Sequence, residues 1–481
     1  MNRQIFLCAK ILLLFVMIVG LCGCSLIPEY IKPKAPIPDK FPQGDAYKDD
    51  QDNRALETDI EASDVKNLSW QEFFNDKNLE AIIKIALENN RDLRLATLNA
   101  EKVHALYGIQ RAELFPSFNA AAEGAKQKNA SDFTEPGHPR TTEKYGISVG
   151  IASWELDLFG RVRSLKDQAL EEYLATEEAK RAAQIALIAG ISKAYLTLAA
   201  DRENLDIAIS TLTNQQTAYK MIEKQHEVGI ITKLDLRRAQ IPVYTAREDV
   251  ARFKQLVAQD QNAINLLAGS TVPESLLPVG LSSITPPKDI FPGLSSTALF
   301  NRPDIIGAEH RLKGSYAYVG AARAAFFPRI SLTTSFGTAS SELDGLFGSG
   351  SGTWNFVPNI SVPIFDSRVW AAFRVSKAER EIILTQYEKT IQTAFKEVAD
   401  TLAVKGTVDE QIESHLSLVD ATLDTYRLSE ERYNKGIDSY LSVLDAHRSL
   451  YAAKQGLVSL RLIKAVNQVN LYSVLGGGSI L

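Results

Sequence analysis

A mainly α-helical protein with a membrane β component is what this sequence predicts: a duplicated helix-strand-strand-helix-helix unit, with four strands per chain in a 12-stranded trimeric β-barrel that continues into a long α-helical coiled-coil barrel. Three observations predict it. The chain repeats its own landmarks in the same order about 210 residues apart, period-two strands follow a Phe-Pro pair in both copies, and helical stretches run proline-free for tens of residues.

The chain opens with a processing signal. Arg3 and Lys10 supply a positive start, Ile11 to Val19 is an unbroken apolar core, and Leu21-Cys22-Gly23-Cys24 follows. This has the form of a lipobox, with an aliphatic residue at Leu21, a small one at Gly23, and Cys24 as the thiol that carries diacylglycerol. Ile11 to Cys24 is 14 residues, short of the roughly 20 a helix needs to cross a bilayer. Residues 1–23 are therefore expected to be a lipoprotein signal peptide. Its removal takes Cys8 and Cys22, two of the three cysteines, so the mature chain holds no intramolecular disulfide. It also removes two positive charges, which moves the net charge from −5 to −7. In a Gram-negative cell, Ser25 after the lipidated Cys directs sorting to the outer membrane. Residues 24–70, with Pro28, Pro33, Pro36, Pro38 and Pro42 and an acidic run around Asp49, read as a lipidated extended tether.

The first repeat is placed at 71–275 and the second at 276–481. Arg111-Ala-Glu-Leu-Phe-Pro116 is echoed by Arg323-Ala-Ala-Phe-Phe-Pro328, Leu158-Phe159 with Arg161-Val162 by Ile364-Phe365 with Arg368-Val369, and Val228-Gly229-Ile230 by Lys435-Gly436-Ile437. Leu79 to Leu114 and Ala298 to Phe327 carry apolar residues at helical spacing, and each stops at a proline. The period then changes to two. Phe118, Ala120 and Ala122 pair with a return through Tyr145 to Ile151; Ile330 to Phe336 pairs with a return through Ile360, Val362 and Ile364. The connections, Lys126 to Thr142 and Ser340 to Gly352, are polar hairpin loops. Arg161 to Gln225 has no proline and predicts a helix of roughly 100 Å.

The strands decide how chains associate. Four strands cannot close a barrel, since the smallest membrane barrels need about eight, and an open edge in lipid leaves backbone groups unpaired. Chains must pool their strands, and three chains give 12.

Other functions are excluded by what the sequence lacks. The net charge of −5 and the scatter of the 53 basic residues argue against a nucleic-acid partner. There is no phosphate-binding Gly-rich loop, no Gly-x-Ser-x-Gly elbow and no metal-ligand cluster, so the chain reads as no enzyme and as needing no cofactor beyond the lipid on Cys24. The six histidines, His104, His138, His226, His310, His415 and His447, share no ligand-like spacing and read as surface or helix-face residues.

The lipobox, the duplication, the Phe-Pro strand entries and the helix-breaking Gly229 and Gly436 together resemble the TolC-like outer membrane efflux proteins, in their lipoprotein branch that serves RND-type drug and metal pumps. Asn301-Arg302-Pro303-Asp304 is similar to a motif of that branch, and equally reads as Pro303 starting a helix. The resemblance implies a passive conduit in the outer membrane, its helical barrel projecting into the periplasm, partnered by an adaptor protein and an inner-membrane RND-type pump, and exporting small toxic molecules. It places the gate at the periplasmic tip, where Asp235 and Tyr433 hold the closed state and Leu441 and Asp445 form constricting rings. Some members carry a second acidic residue where this chain has Ser442. Two alternatives stay open: a conduit of a type I protein secretion system, and a coiled-coil envelope lipoprotein that transports nothing.

Overall fold

A computed structural model describes residues 25–47, 60–61, 68–291 and 295–477. The expected signal peptide, Cys24 and much of the acidic tether lie outside the described residues. The helices are α1 (Trp70–Phe73), α2 (Lys77–Asn89), α3 (Arg91–Ala112), α4 (Arg161–Glu227), α5 (Lys233–Ala268), α6 (Pro303–Ala324), α7 (Ser367–Asn434) and α8 (Tyr440–Val474). The strands are β1 (Ile60–Glu61), β2 (Phe118–Lys128), β3 (Thr141–Glu155), β4 (Ile290–Phe291), β5 (Arg329–Ser340) and β6 (Gly352–Ser361). The chain is thus mainly helical with a small antiparallel sheet. Its two compact units cut across the sequence repeats, because each repeat contributes strands to one and helix turns to the other.

One unit (residues 25–34, 100–176 and 307–387) holds the sheet, in the order β2-β3-β5-β6, antiparallel throughout. Register puts Ala120, Val149, Phe336 and Trp354 in one row across all four strands and Phe118, Ile151, Thr334 and Phe356 in the next. Most of these apolar side chains face outward, with Phe118, Phe336 and Trp354 72%, 74% and 77% exposed, while Ile151 is buried. The alternate positions are polar, with Glu123 paired to Lys144 at 2.7 Å. Strands come unusually close there, since a Cβ on Gly150 would sit 2.1 Å from the Thr334 carbonyl oxygen and one on Gly337 2.0 Å from that of Ile147. β2 and β6 are the sheet's edges. The expected return strand through Val362 and Ile364 stops earlier: β6 ends at Ser361, and Pro363, two residues on, cannot donate to a ladder. In the same unit the amino-terminal segment is packed down. Ile27 lies against Gly320, Tyr30 meets Tyr316 edge-on at 5.5 Å, and Lys32 pairs with Glu309 at 2.8 Å.

The other unit (the described residues within 35–99, 177–306 and 388–477) holds the helix turns. The expected extended tether is not loose here either, because Phe41 is buried and stacks on Phe395 at 5.1 Å. Trp70, placed at the tether's end, opens α1, where Ser69 and Glu72 form a capping box. The single helix expected over Leu79 to Leu114 is two. It breaks at Asn90, whose ψ of 132° is extended, while its side chain accepts from Leu93 N at 2.8 Å and donates to the Leu267 carbonyl at 2.9 Å. Gly269 ends α5 at φ 70°, and a Cβ there would lie 2.3 Å from the Asn89 carbonyl oxygen. The break and the cap therefore hold each other. The helix expected over Ala298 to Phe327 likewise starts late: a 3-10 turn covers Ser296–Asn301, and α6 begins at Pro303. Between α4 and α5 the core is Ala208, Val250 and Phe253, with Leu205, Leu212 and Leu256 against it.

Candidate gate at the helix turns

Gly229 and Gly436 sit where left-handed backbone is required, at φ 80° and 69°. Each closes its helix in the same way. Ile230 N donates to the Gln225 carbonyl at 2.9 Å and Gly229 N to that of His226 at 3.0 Å; Ile437 N donates to Arg432 and Gly436 N to Tyr433, both at 2.9 Å. These paired 6→1 and 5→2 bonds are two copies of one Schellman cap. The helices that follow start differently. Thr232 caps α5, accepting from Asp235 N at 3.2 Å and donating to the Asp235 carboxylate at 2.6 Å, whereas Ser439 before α8 makes no side-chain cap.

Tyr433 is half-buried at the end of α7, and its hydroxyl donates to Gln225 Oε1 of α4 at 3.1 Å. Burial raises its phenol above the ordinary range and the nearby Asp235 carboxylate adds to that, while the bond to Gln225 works the other way. Asp235 thus lies within electrostatic reach of Tyr433, but the hydrogen bond of Tyr433 goes to Gln225. Asp235 hydrogen-bonds within its own helix start and lies 3.9 Å from Arg238.

Leu441 and Asp445 lie one turn apart on α8 and are both exposed, while Val443, Leu444 and Ala446 between and beside them are buried. They share one outward face. Asp445 is not bare: Arg448 Nη2 reaches its carboxylate at 3.0 Å. Gln225 and Arg448 are the two residues that sequence reasoning missed. Arg448 was visible as an oppositely charged residue three positions on; nothing local marks Gln225. The turns also expose Val228, Ile230, Leu234 and Ile437, each more than half accessible.

Among the described residues no group of His, Cys, Asp or Glu is arranged to hold a metal ion. Two of the histidines read as surface or helix-face residues make side-chain contacts there: His310 with Glu171 at 2.7 Å and His415 with the Ala453 carbonyl at 2.9 Å.

A family profile described as outer membrane efflux protein matches residues 82–270 and 294–477. The toluene efflux pump outer membrane protein TtgC of Pseudomonas putida is 43% identical over 458 residues, covering 95% of this chain and 93% of the relative. A membrane protein from Pseudomonas aeruginosa has a solved structure that covers 94% of this chain and 100% of its own, with a TM-score of 0.86 and 37% identity. The open state of the MtrE outer membrane channel of Neisseria gonorrhoeae covers 95% and 98%, with a TM-score of 0.82 and 35% identity.

Proposed function

The chain belongs to the outer membrane efflux protein family, and from that premise we propose that it is the passive outer-membrane exit channel of a tripartite efflux system, gated at its periplasmic tip. It is an outer-membrane protein, and its cargo is small toxic molecules. The observation that carries the reading is the four-stranded sheet, apolar and exposed on one face, polar on the other, with an open edge on each side. Such edges in lipid call for other strands, and three copies supply a closed ring of 12 with a polar lumen. A stalk that transports nothing has no use for that sheet. The relatives named as toluene, solvent and antibiotic efflux pump components support small-molecule efflux over protein secretion.

In this assembly Leu441 and Asp445 form rings around the axis, and Asp235 and Tyr433 hold neighbouring helices together. The exposed apolar residues of the two turns, Val228, Ile230 and Ile437, are the contact for a periplasmic adaptor, behind which stands an inner-membrane RND-type pump. Cys24 carries the lipid that anchors the chain. The test combines light scattering of the purified protein in detergent with single-channel recording in planar bilayers. A trimer with a mostly closed, cation-preferring conductance is expected; a stable monomer, or no conductance, overturns the reading. Intact-mass analysis of the mature chain checks the diacylglycerol on Cys24.

A further inference from the structure

Behind the gate, three helix segments enclose a cleft of about 310 Å³, lined from α4 by Gln215 and Met221, from α7 by Tyr426 and Glu430, and from α8 by Tyr440 and His447. That volume is at the small end of ligand sites. Its walls are aromatic. Tyr426 meets His447 edge-on at 5.4 Å, and Tyr433 lies 5.2 Å from Tyr440. Its polar groups are hydroxyls, side-chain amides and an imidazole, which donate as well as accept, together with one carboxylate. Gln215 is 5% exposed, and its Oε1 receives no hydrogen bond among the described residues. No Lys or Arg lines the cleft, and Glu430 supplies a carboxylate.

We propose that this cleft is a binding site for a small organic cation, an aromatic or alkyl ammonium. The Tyr426, Tyr433 and Tyr440 rings receive the cation on their electron-rich faces, Glu430 balances its charge, and the buried Gln215 carbonyl takes an N–H where the ligand carries one. Aromatic walls with a single carboxylate and no Lys or Arg in the lining select against anions. Burial, then the Glu430 carboxylate, raises the Tyr426 phenol, while burial, then the Lys454 ammonium outside the lining, lowers the His447 imidazole. The site stands independently of whether the protein conducts, because it is built within one chain.

The test uses the full chain in detergent and two probes, benzyltrimethylammonium and its uncharged carbon isostere neopentylbenzene, titrated by ligand-observed NMR. Saturable binding of the cation is expected, weakened about tenfold in Glu430→Gln and in Tyr426→Leu, with the isostere failing to compete. Glu430 is exposed, so its substitution leaves the fold intact and decides the matter if Tyr426→Leu does not assemble. Unchanged affinity in Glu430→Gln, equal competition by the isostere, or no saturable binding overturns the proposal. Conductance plays no part in the readout, so a failed channel and a failed site are told apart.

Discussion

The Tyr433 hydroxyl donates to Oε1 of Gln225 at 3.1 Å, joining the ends of α7 and α4 across 208 residues of sequence. It sits beside the two matched caps at Gly229 and Gly436, so it ties one helix turn to the other. A net hydrogen bond contributes about 1 kcal/mol. Tyr433→Phe removes the hydroxyl and keeps the ring, and should shift the open-to-closed ratio toward open by roughly fivefold per chain. Open probability in planar bilayers measures it; Gln225→Leu should act in the same direction, and no change in either variant removes this contact from the lock.

The Asp445 carboxylate is partly neutralised by Arg448 at 3.0 Å, an exposed pair that adds little stability. In the proposed trimer its consequence is for the lumen. Asp445→Ala should lower the cation-over-anion permeability ratio, whereas Arg448→Ala should raise it by unmasking the acidic ring. Leu441→Ala, one turn earlier, should increase conductance without changing selectivity. Reversal potentials in a salt gradient separate the three outcomes.

Which features were legible in the sequence follows from their physical range. Gly229 and Gly436 were legible because left-handed backbone all but requires glycine, and the strands because period two survives in Phe118 to Ala122 and Tyr145 to Ile151. The break at Asn90 was not, since asparagine is only mildly unfavourable inside a helix; what fixes it there is the Leu267 carbonyl, 177 residues away. Pro242 is the converse case, a breaker that α5 accommodates. The end of β6 at Ser361 was masked by Val362 and Ile364, which continue the alternation past the ladder. At the candidate gate, Tyr433 was named only through the family resemblance, and its partner Gln225 was not named at all, because only the packing of α4 against α7 brings them together.

Arg302 gives the Asn301-Arg302-Pro303-Asp304 segment a structural meaning. Its guanidinium is buried and reaches Asp304 at 2.8 and 3.0 Å, Glu397 at 2.8 Å and the Val474 carbonyl at 2.9 Å, clasping the end of α8 to the start of α6. Arg302→Ala should cost about 2 kcal/mol, held below the value for a fully buried pair because both carboxylates stay partly solvated. Arg302→Lys should recover less than half of the loss, since a point charge cannot serve three acceptors in a fork. Thermal unfolding followed by circular dichroism checks both, and wild-type stability in Arg302→Ala would return the segment to a functional role.

Asp201 of α4 and Asp260 of α5 form an acidic pair in the same helical unit. Burial, then the charge of Asp201, pushes the Asp260 carboxyl up to about 7, while burial also raises Asp201, which Asp260 and Asn204 stabilise by hydrogen bonds and Arg252 by its charge. The folded value exceeds the ordinary carboxylate value near 4, so the folded chain binds a proton that the unfolded chain releases between about pH 4 and 7. The pair therefore costs no stability below about pH 4, costs progressively more as pH rises to 7, and its full amount above that. Asp260→Asn keeps the shape and removes the charge. It should raise the melting temperature by about 2–4 °C at pH 8 and by less at pH 5. A gain of the same size at both pH values would mean that the two carboxylates do not share a proton, and a loss at pH 8 would mean that the ionised pair holds α4 to α5 through Arg252.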